Sequence, residues 1–151
     1  MKKHNPAKRV NIVSLKMVRE ATVLYQQRKI TSPSDVACLM EEFLAEADRE
    51  KFIVICLDTK NQPTAINVVA IGSLSSCNVS VREVFKVAVI SNSASIIVSH
   101  NHPSGNPEAS SEDIAITKRL VEAGEVMGIP VLDHIIIGEN KFKSLKELGH
   151  I

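Results

Sequence analysis

Residues 99–113, SHNHPSGNPEASSED, bring two histidines one residue apart, two prolines, a glycine and a downstream aspartate into one short stretch. Imidazole and carboxylate are donors that hold divalent zinc. If the apolar run SIIVS (Ser95–Ser99) is a strand continuing through His102, alternate side chains share a face, and His100 and His102 point the same way. Pro103 and Gly105 end that strand, and NPEAS leads to a helix whose first turn carries Asp113, placed to swing back beside the histidines. Two neutral imidazoles and one carboxylate leave a fourth tetrahedral position for water, which distinguishes a catalytic zinc from a structural one. A purely structural reading fits the same letters. Ser110-x-x-Asp113 is a helix N-cap pattern, acidic residues favour first turns, and H-x-H pairs are commonly surface polar residues.

The elements that must position this stretch follow from periodicity. From Ser14, SLKMVREATVLYQQRK places Leu15, Val18, Thr22 and Tyr25 at helical spacing, and a helix is expected there. TSPSDVACLMEEFLAEADRE is expected to form a second helix, capped at Ser32, with Pro33 in its first turn and Val36, Leu39, Met40, Phe43 and Ala47 as its apolar stripe. KFIVICLD and TAINVVAIG read as two strands joined by DTKNQP, a hairpin over residues 51–72. SVREVFKVAVISNSA puts Val81, Val84, Phe85, Ala88 and Val89 on one helical face. SEDIAITKRLVEAGEVMG is a further helix closed by Gly124 or Gly128, VLDHIIIG a strand, residues 138–140 a turn, and KFKSL a last strand. Strands interleaved with amphipathic helices predict an α/β or α+β layer fold, a mixed sheet with flanking helices. The expected organisation is a basic tail with a two-helix segment over residues 1–50, followed by the sheet-bearing domain over 51–151.

His100-x-His102-Pro103, followed after seven residues from His102 by Ser110-x-x-Asp113, resembles the JAMM signature of JAB/MPN-domain metalloproteases. The longer text HNHPSGNPEASSEDIAIT, with REVF upstream and LDHIIIG downstream, is similar to the RadC-type bacterial branch, over about residues 52–144. The resemblance implies an MPN/cytidine-deaminase-like fold, one zinc ion with a catalytic water, His100, His102 and Asp113 as its ligands, and Ser110 as the hydroxyl assisting the oxyanion. It also implies a glutamate from an earlier element as general base, and the match of VREVF assigns that role to Glu83. Ser80-x-x-Glu83 is equally a capping box. Glu108 and Glu112 match no family position and read as solvated. His134 is expected as a hydrogen-bonded core residue, with support of the zinc site as the alternative. Asp133 falls on the opposite strand face. The letters HNH coincide with a nuclease family name, but that family's signature residues are dispersed along its chain.

The chain of 151 residues has 44% hydrophobic and only 3% aromatic residues, with no tryptophan, so its core must be aliphatic. A net charge of +1, few aromatics and no helix-hairpin-helix region speak against direct nucleic-acid binding. No apolar run reaches the ~20 residues needed to span a bilayer. Three isolated cysteines (Cys38, Cys56 and Cys77) fit reduced thiols in a cytoplasmic protein, with Cys56 in the core. The expected function is a zinc-dependent hydrolase of a peptide or isopeptide amide bond, acting on a protein or peptide. The alternative is a non-catalytic zinc-containing MPN interaction module associated with DNA repair or recombination. Exposed apolar strands leave self-association open.

Overall fold

The computed structural model describes residues 1, 4–44, 47–72 and 79–151. Its elements are α1 (Pro33–Leu44), β1 (Lys51–Leu57), β2 (Pro63–Ile71), α2 (Val81–Ile90), β3 (Ser95–Asn101), α3 (Ser111–Met127), β4 (Val131–Ile137) and β5 (Phe142–Ser144). They form one five-stranded mixed sheet in the order β2-β1-β3-β4-β5, antiparallel except for the parallel pair β3–β4 that α3 connects. This α/β layer arrangement agrees with the MPN-like fold expected from the sequence.

Alternation along the strands divides the core in two. Ile53, Ile55 and Leu57 of β1 pack with Ile97, Ile135 and Ile137 against Val36, Leu39 and Met40 of α1. Phe52, Val54 and Cys56 face the other way, with Ile96 and Val98, against Val84, Phe85 and Ala88 of α2 and Leu120 of α3. β1 and β3 are covered on both faces, which explains why FIVICL and SIIVS read as unbroken apolar runs. Even-numbered β3 residues face α3, so His100 falls on the side where the first turns of α3 arrive. Cys56 is buried in this layer and Cys38 is exposed; Cys77 lies outside the described residues. Among the described residues no helix is long and apolar enough to cross a membrane.

The expected helix from Ser14 does not form. Residues 4–24 enter neither helix nor strand, and Leu15, Val18 and Leu24 are largely exposed. Its four-residue stripe has no complementary face to pack on. Without burial, the segment gains too little from backbone hydrogen bonds to offset helix nucleation. The N-terminal region therefore holds one helix rather than two, and that helix shares its core with the sheet. α1 starts as expected at Pro33, but its first turn is fastened chiefly by Asp35. The Asp35 Oδ2 accepts from the backbone N–H groups of Thr31 (2.8 Å) and Ser32 (3.1 Å) and from the Thr31 hydroxyl (2.9 Å). Those donors hold the Asp35 carboxyl below the usual carboxylate range.

Candidate metal centre

The carboxyl end of β3, the element after it and the start of α3 converge on one buried point. His100 ends the β3 ladder opposite Phe52 of β1, and the His102 N–H still donates to the Ile137 carbonyl of β4 at 2.8 Å. Both rings lie on the α3 side, with their Nε2 atoms 2.9 Å apart. Asp113 sits at the first turn of α3, locked by a reciprocal cap: its N–H donates to Ser110 Oγ (3.1 Å), and its Oδ2 accepts the Ser110 N–H (2.9 Å). This fixes the carboxylate 3.3 Å (Oδ1) from His100 Nε2 and 3.4 Å (Oδ2) from His102 Nε2. The N-cap and the metal-ligand readings of Ser110-x-x-Asp113 thus describe a single geometry.

Hydrogen bonds determine where the imidazole protons sit. The Thr117 hydroxyl donates to the Asp113 carbonyl (2.6 Å), so its oxygen must accept the proton on His134 Nδ1, also at 2.6 Å. His134 Nε2 is then an acceptor, and takes the proton of His100 Nδ1 at 2.7 Å. His102 Nδ1 donates to the Asn106 carbonyl at 2.8 Å. Both neutral histidines consequently aim Nε2 lone pairs at each other and at a carboxylate. Asp113 Oδ1, buried, has no hydrogen-bond donor among the described residues. Electron-rich groups at this spacing are able to hold a metal ion between them. A tetrahedral zinc with nitrogen ligands at ~2.0–2.1 Å sets them about 3.3 Å apart, close to the 2.9–3.4 Å found here.

The electrostatics carry the same signature. Hydrogen bonding to Asp113 raises His102 above the ordinary histidine value, against the opposing effect of burial. Burial pushes the Asp113 carboxyl up, but the two histidines outweigh it and hold it far below the carboxylate range. His134, wholly buried and beside another imidazole, is pushed well below the ordinary histidine value and stays neutral.

The carboxylate that sequence reasoning missed is Glu50. Its Oε1 lies 3.8 Å from His102 Nε2 and 3.9 Å from His100 Nε2, and Glu50, His100 and His102 together form a group able to hold a metal ion. Its position follows from strand pairing: with Phe52 opposite His100, antiparallel register brings the residue just before β1 opposite His102. Asn101, between the two histidines, clamps the backbone on both sides of Glu50. Its Nδ2 donates to the Arg49 carbonyl (2.9 Å), and its Oδ1 accepts the Lys51 N–H (2.8 Å).

Glu83 is not brought to this point. It lies on the first turn of α2 with a half-exposed carboxylate paired to Lys86 Nζ at 2.9 Å. The capping box expected for it is also absent, because the Ser80 side chain makes no cap hydrogen bond. A helix surface, where an i,i+3 lysine can satisfy it, is the ordinary environment of such a residue. Glu108 and Glu112 are exposed as expected, Glu108 lying 3.7 Å from Lys143 Nζ. Asp133 faces away from the histidines, accepting from Ser144 Oγ (2.6 Å) and the Lys146 N–H (3.1 Å), and so fastens β5 to β4. His134 is the buried, hydrogen-bonded core residue expected, and its Nε2 is bonded to His100 Nδ1.

A mixed sheet between helices, with histidines from the end of a central strand meeting a carboxylate from the next helix, defines a JAB/MPN-type domain. The family description RadC-like JAB domain matches residues 30–150, and the chain belongs to that family. It is 52% identical over 132 residues to a UPF0758 protein of Methanosarcina barkeri, covering 87% of this chain and 58% of that protein. A UPF0758 protein of Desulforamulus reducens is 56% identical over 122 residues (81% and 54%), and one of Bacillus cereus 55% over 128 (84% and 57%). The chain spans somewhat over half the length of these relatives.

Proposed function

We propose that this domain is a zinc-dependent amide hydrolase that cleaves a peptide or isopeptide bond. The observation that carries the reading is the convergence of two imidazole lone pairs and the Asp113 carboxylate, whose Oδ1 has no donor among the described residues, with Glu50 just beyond them. His100, His102 and Asp113 would hold the ion. Asp113 is chosen over Glu50 as third ligand because it is closer by about half an ångström and rigidly capped. When bound, zinc supplies an acidified water, with a pKa near ~7, and polarises the substrate carbonyl.

The chain's own groups do the rest. Glu50 accepts the proton of the attacking water and delivers it to the leaving amine nitrogen. Ser110 Oγ accepts the Asp113 N–H and retains its own proton, which it can donate to the oxyanion that develops on the carbonyl.

The test is zinc content together with hydrolysis of a panel of peptide and isopeptide-linked substrates. About one zinc per chain is expected in the wild type, lost in H102A and kept in E50Q and E83Q. Hydrolysis should fall by roughly 10²–10⁴-fold in E50Q and stay at the wild-type level in E83Q. A folded wild type that takes up no zinc overturns the reading. Zinc uptake without hydrolysis of any substrate favours the non-catalytic MPN module instead.

A further inference from the structure

The arm of residues 10–24, VNIVSLKMVREATVL, enters neither helix nor strand and buries little of its own apolar surface. Ile12 is 102% exposed, Leu15 81%, Val18 77% and Leu24 73%. Val13, Leu15 and Met17 alternate with Ser14 and Lys16, a period suited to a strand.

The sheet offers an open position for such a strand. β2 is an edge, hydrogen-bonded within the sheet only to β1. Edge strands are ordinarily protected by charges, bulges or proline on their outer side. PTAINVVAI carries no charge, its one proline stands at its start, and Ile66, Val68 and Val69 are only half-buried; its irregularities are the register shifts at Thr64 and Val69. The chain's own arm passes this edge without joining the ladder. It leaves a cleft of about 1640 Å³ bordered by Leu15 and Val18 of the arm, Ile66 and Val68 of β2, Phe43 of α1 and Phe85 of α2.

Charge distinguishes the two halves. Residues 1–24 hold six Lys or Arg and one Glu, a net of +5, whereas residues 25–151 hold twelve against sixteen acidic residues, a net of −4. A basic, apolar arm thus belongs to a body of opposite charge with an uncharged edge strand. The fifteen arm residues reach about 50 Å when extended, beyond the nine-residue β2, and start from an anchor where the Ile30 N–H donates to the Asn61 carbonyl at 2.9 Å.

We propose that two copies of this chain exchange arms, residues 10–24 of each adding as a strand to the β2 edge of the other. Backbone hydrogen bonds along the edge supply affinity, and the alternating Val13, Leu15 and Met17 side chains cover the apolar residues of the partner's β2. The exchange is reciprocal and closes with twofold symmetry, so it stops at a dimer.

Light scattering on the eluting 151-residue protein tests this. A mass of twice 16.5 kDa is expected, falling to one copy in L15D and in M17D. Both positions are exposed within a single chain, so circular dichroism should match the wild type. As a second reading, L15C and N67C chains, each with Cys38 and Cys77 changed to serine, are co-expressed and oxidised; a disulfide joining the two different chains is expected. A monomeric wild type, a dimer that survives both aspartate variants, or failure of the inter-chain disulfide to form each overturns the proposal. A monomer whose arm retards duplex DNA in a salt-dependent manner, lost in K16A/R19A, overturns it in favour of a nucleic-acid contact.

Discussion

His134 Nε2 lies 2.7 Å from His100 Nδ1 inside the protein, and that bond decides which nitrogen of His100 faces His102 and Asp113. Such partners typically contribute 10–100-fold to metal affinity by fixing the ring and its tautomer. His134→Phe keeps an aromatic ring beside Phe52, which the His134 ring meets edge-on at 5.4 Å, but removes the acceptor. Zinc affinity measured by chelator competition should fall about 10–100-fold, with stoichiometry restored at saturation. Unchanged affinity in a folded variant would show that His100 is oriented by other means.

Asn101 tests how Glu50 is held. In Asn101→Ala the backbone on either side of Glu50 loses both clamps, while His100 and His102 keep their ladder positions. The expected result is unchanged zinc content and a fall in kcat of about 10–100-fold, the scale of a misplaced catalytic group. A proportionate loss of zinc instead would mean that Asn101 supports the ligands rather than the carboxylate.

Gly138 tests the seating of the His102 loop. A Cβ there would collide with the Gly105 carbonyl oxygen and come within 2.8 Å of Pro107 Cδ. The same loop is tied by Gly105 N–H to the His102 carbonyl (2.9 Å) and by Glu139 N–H to the Gly105 carbonyl (2.8 Å). Gly138→Ala should cost about 1–3 kcal/mol in chemical denaturation and weaken zinc binding. Gly128→Ala, at φ 69° in open space, should cost about 1 kcal/mol through backbone strain and leave zinc binding unchanged.

The metal-free protein should be most stable near the ordinary histidine value, about pH 6.5. His102 is raised on folding, so its contribution is complete below that value and disappears as pH rises through its folded pKa. His134 is lowered, so its contribution is complete above that value and declines as pH falls. Asp113, also lowered, adds a further loss only as pH drops below the carboxylate range. Thermal melts across pH should show H102A flattening the alkaline limb and H134F the acid limb. Saturating zinc should remove the alkaline decline, since the ion replaces the proton that His102 otherwise carries. Limbs unaltered by these substitutions would assign the pH dependence to other groups.

The sequence and the structure agree most closely where burial is strong. β1, β3 and β4 were legible as apolar runs, and α2 and α3 as stripes, because both sides of the sheet are covered. His100, His102 and Asp113 could be brought together from local geometry alone, a strand alternation and a first helical turn. Glu50 could not. It stands a third of the chain away, and only the pairing of Phe52 with His100 reveals it; the single local hint is a glutamate immediately before a strand. Glu83 attracted the base assignment through the text around it, although a helix-surface lysine satisfies its charge. The segment from Ser14 failed for a different reason. Its spacing fits a helix and a strand about equally well, and no partner face within the chain decides between them.

Asp113 and Thr117 stand one turn apart at the start of α3, the first reaching the two histidines directly and the second through His134. One helical turn therefore acts as a latch on the whole constellation. If that turn frays, the carboxylate swings out and His134 loses the acceptor that sets its tautomer, so His100 is released in the same event. The lifetime of a bound ion would then be governed by the opening rate of this turn. Amide exchange at Asp113 and Ile114 would report that rate.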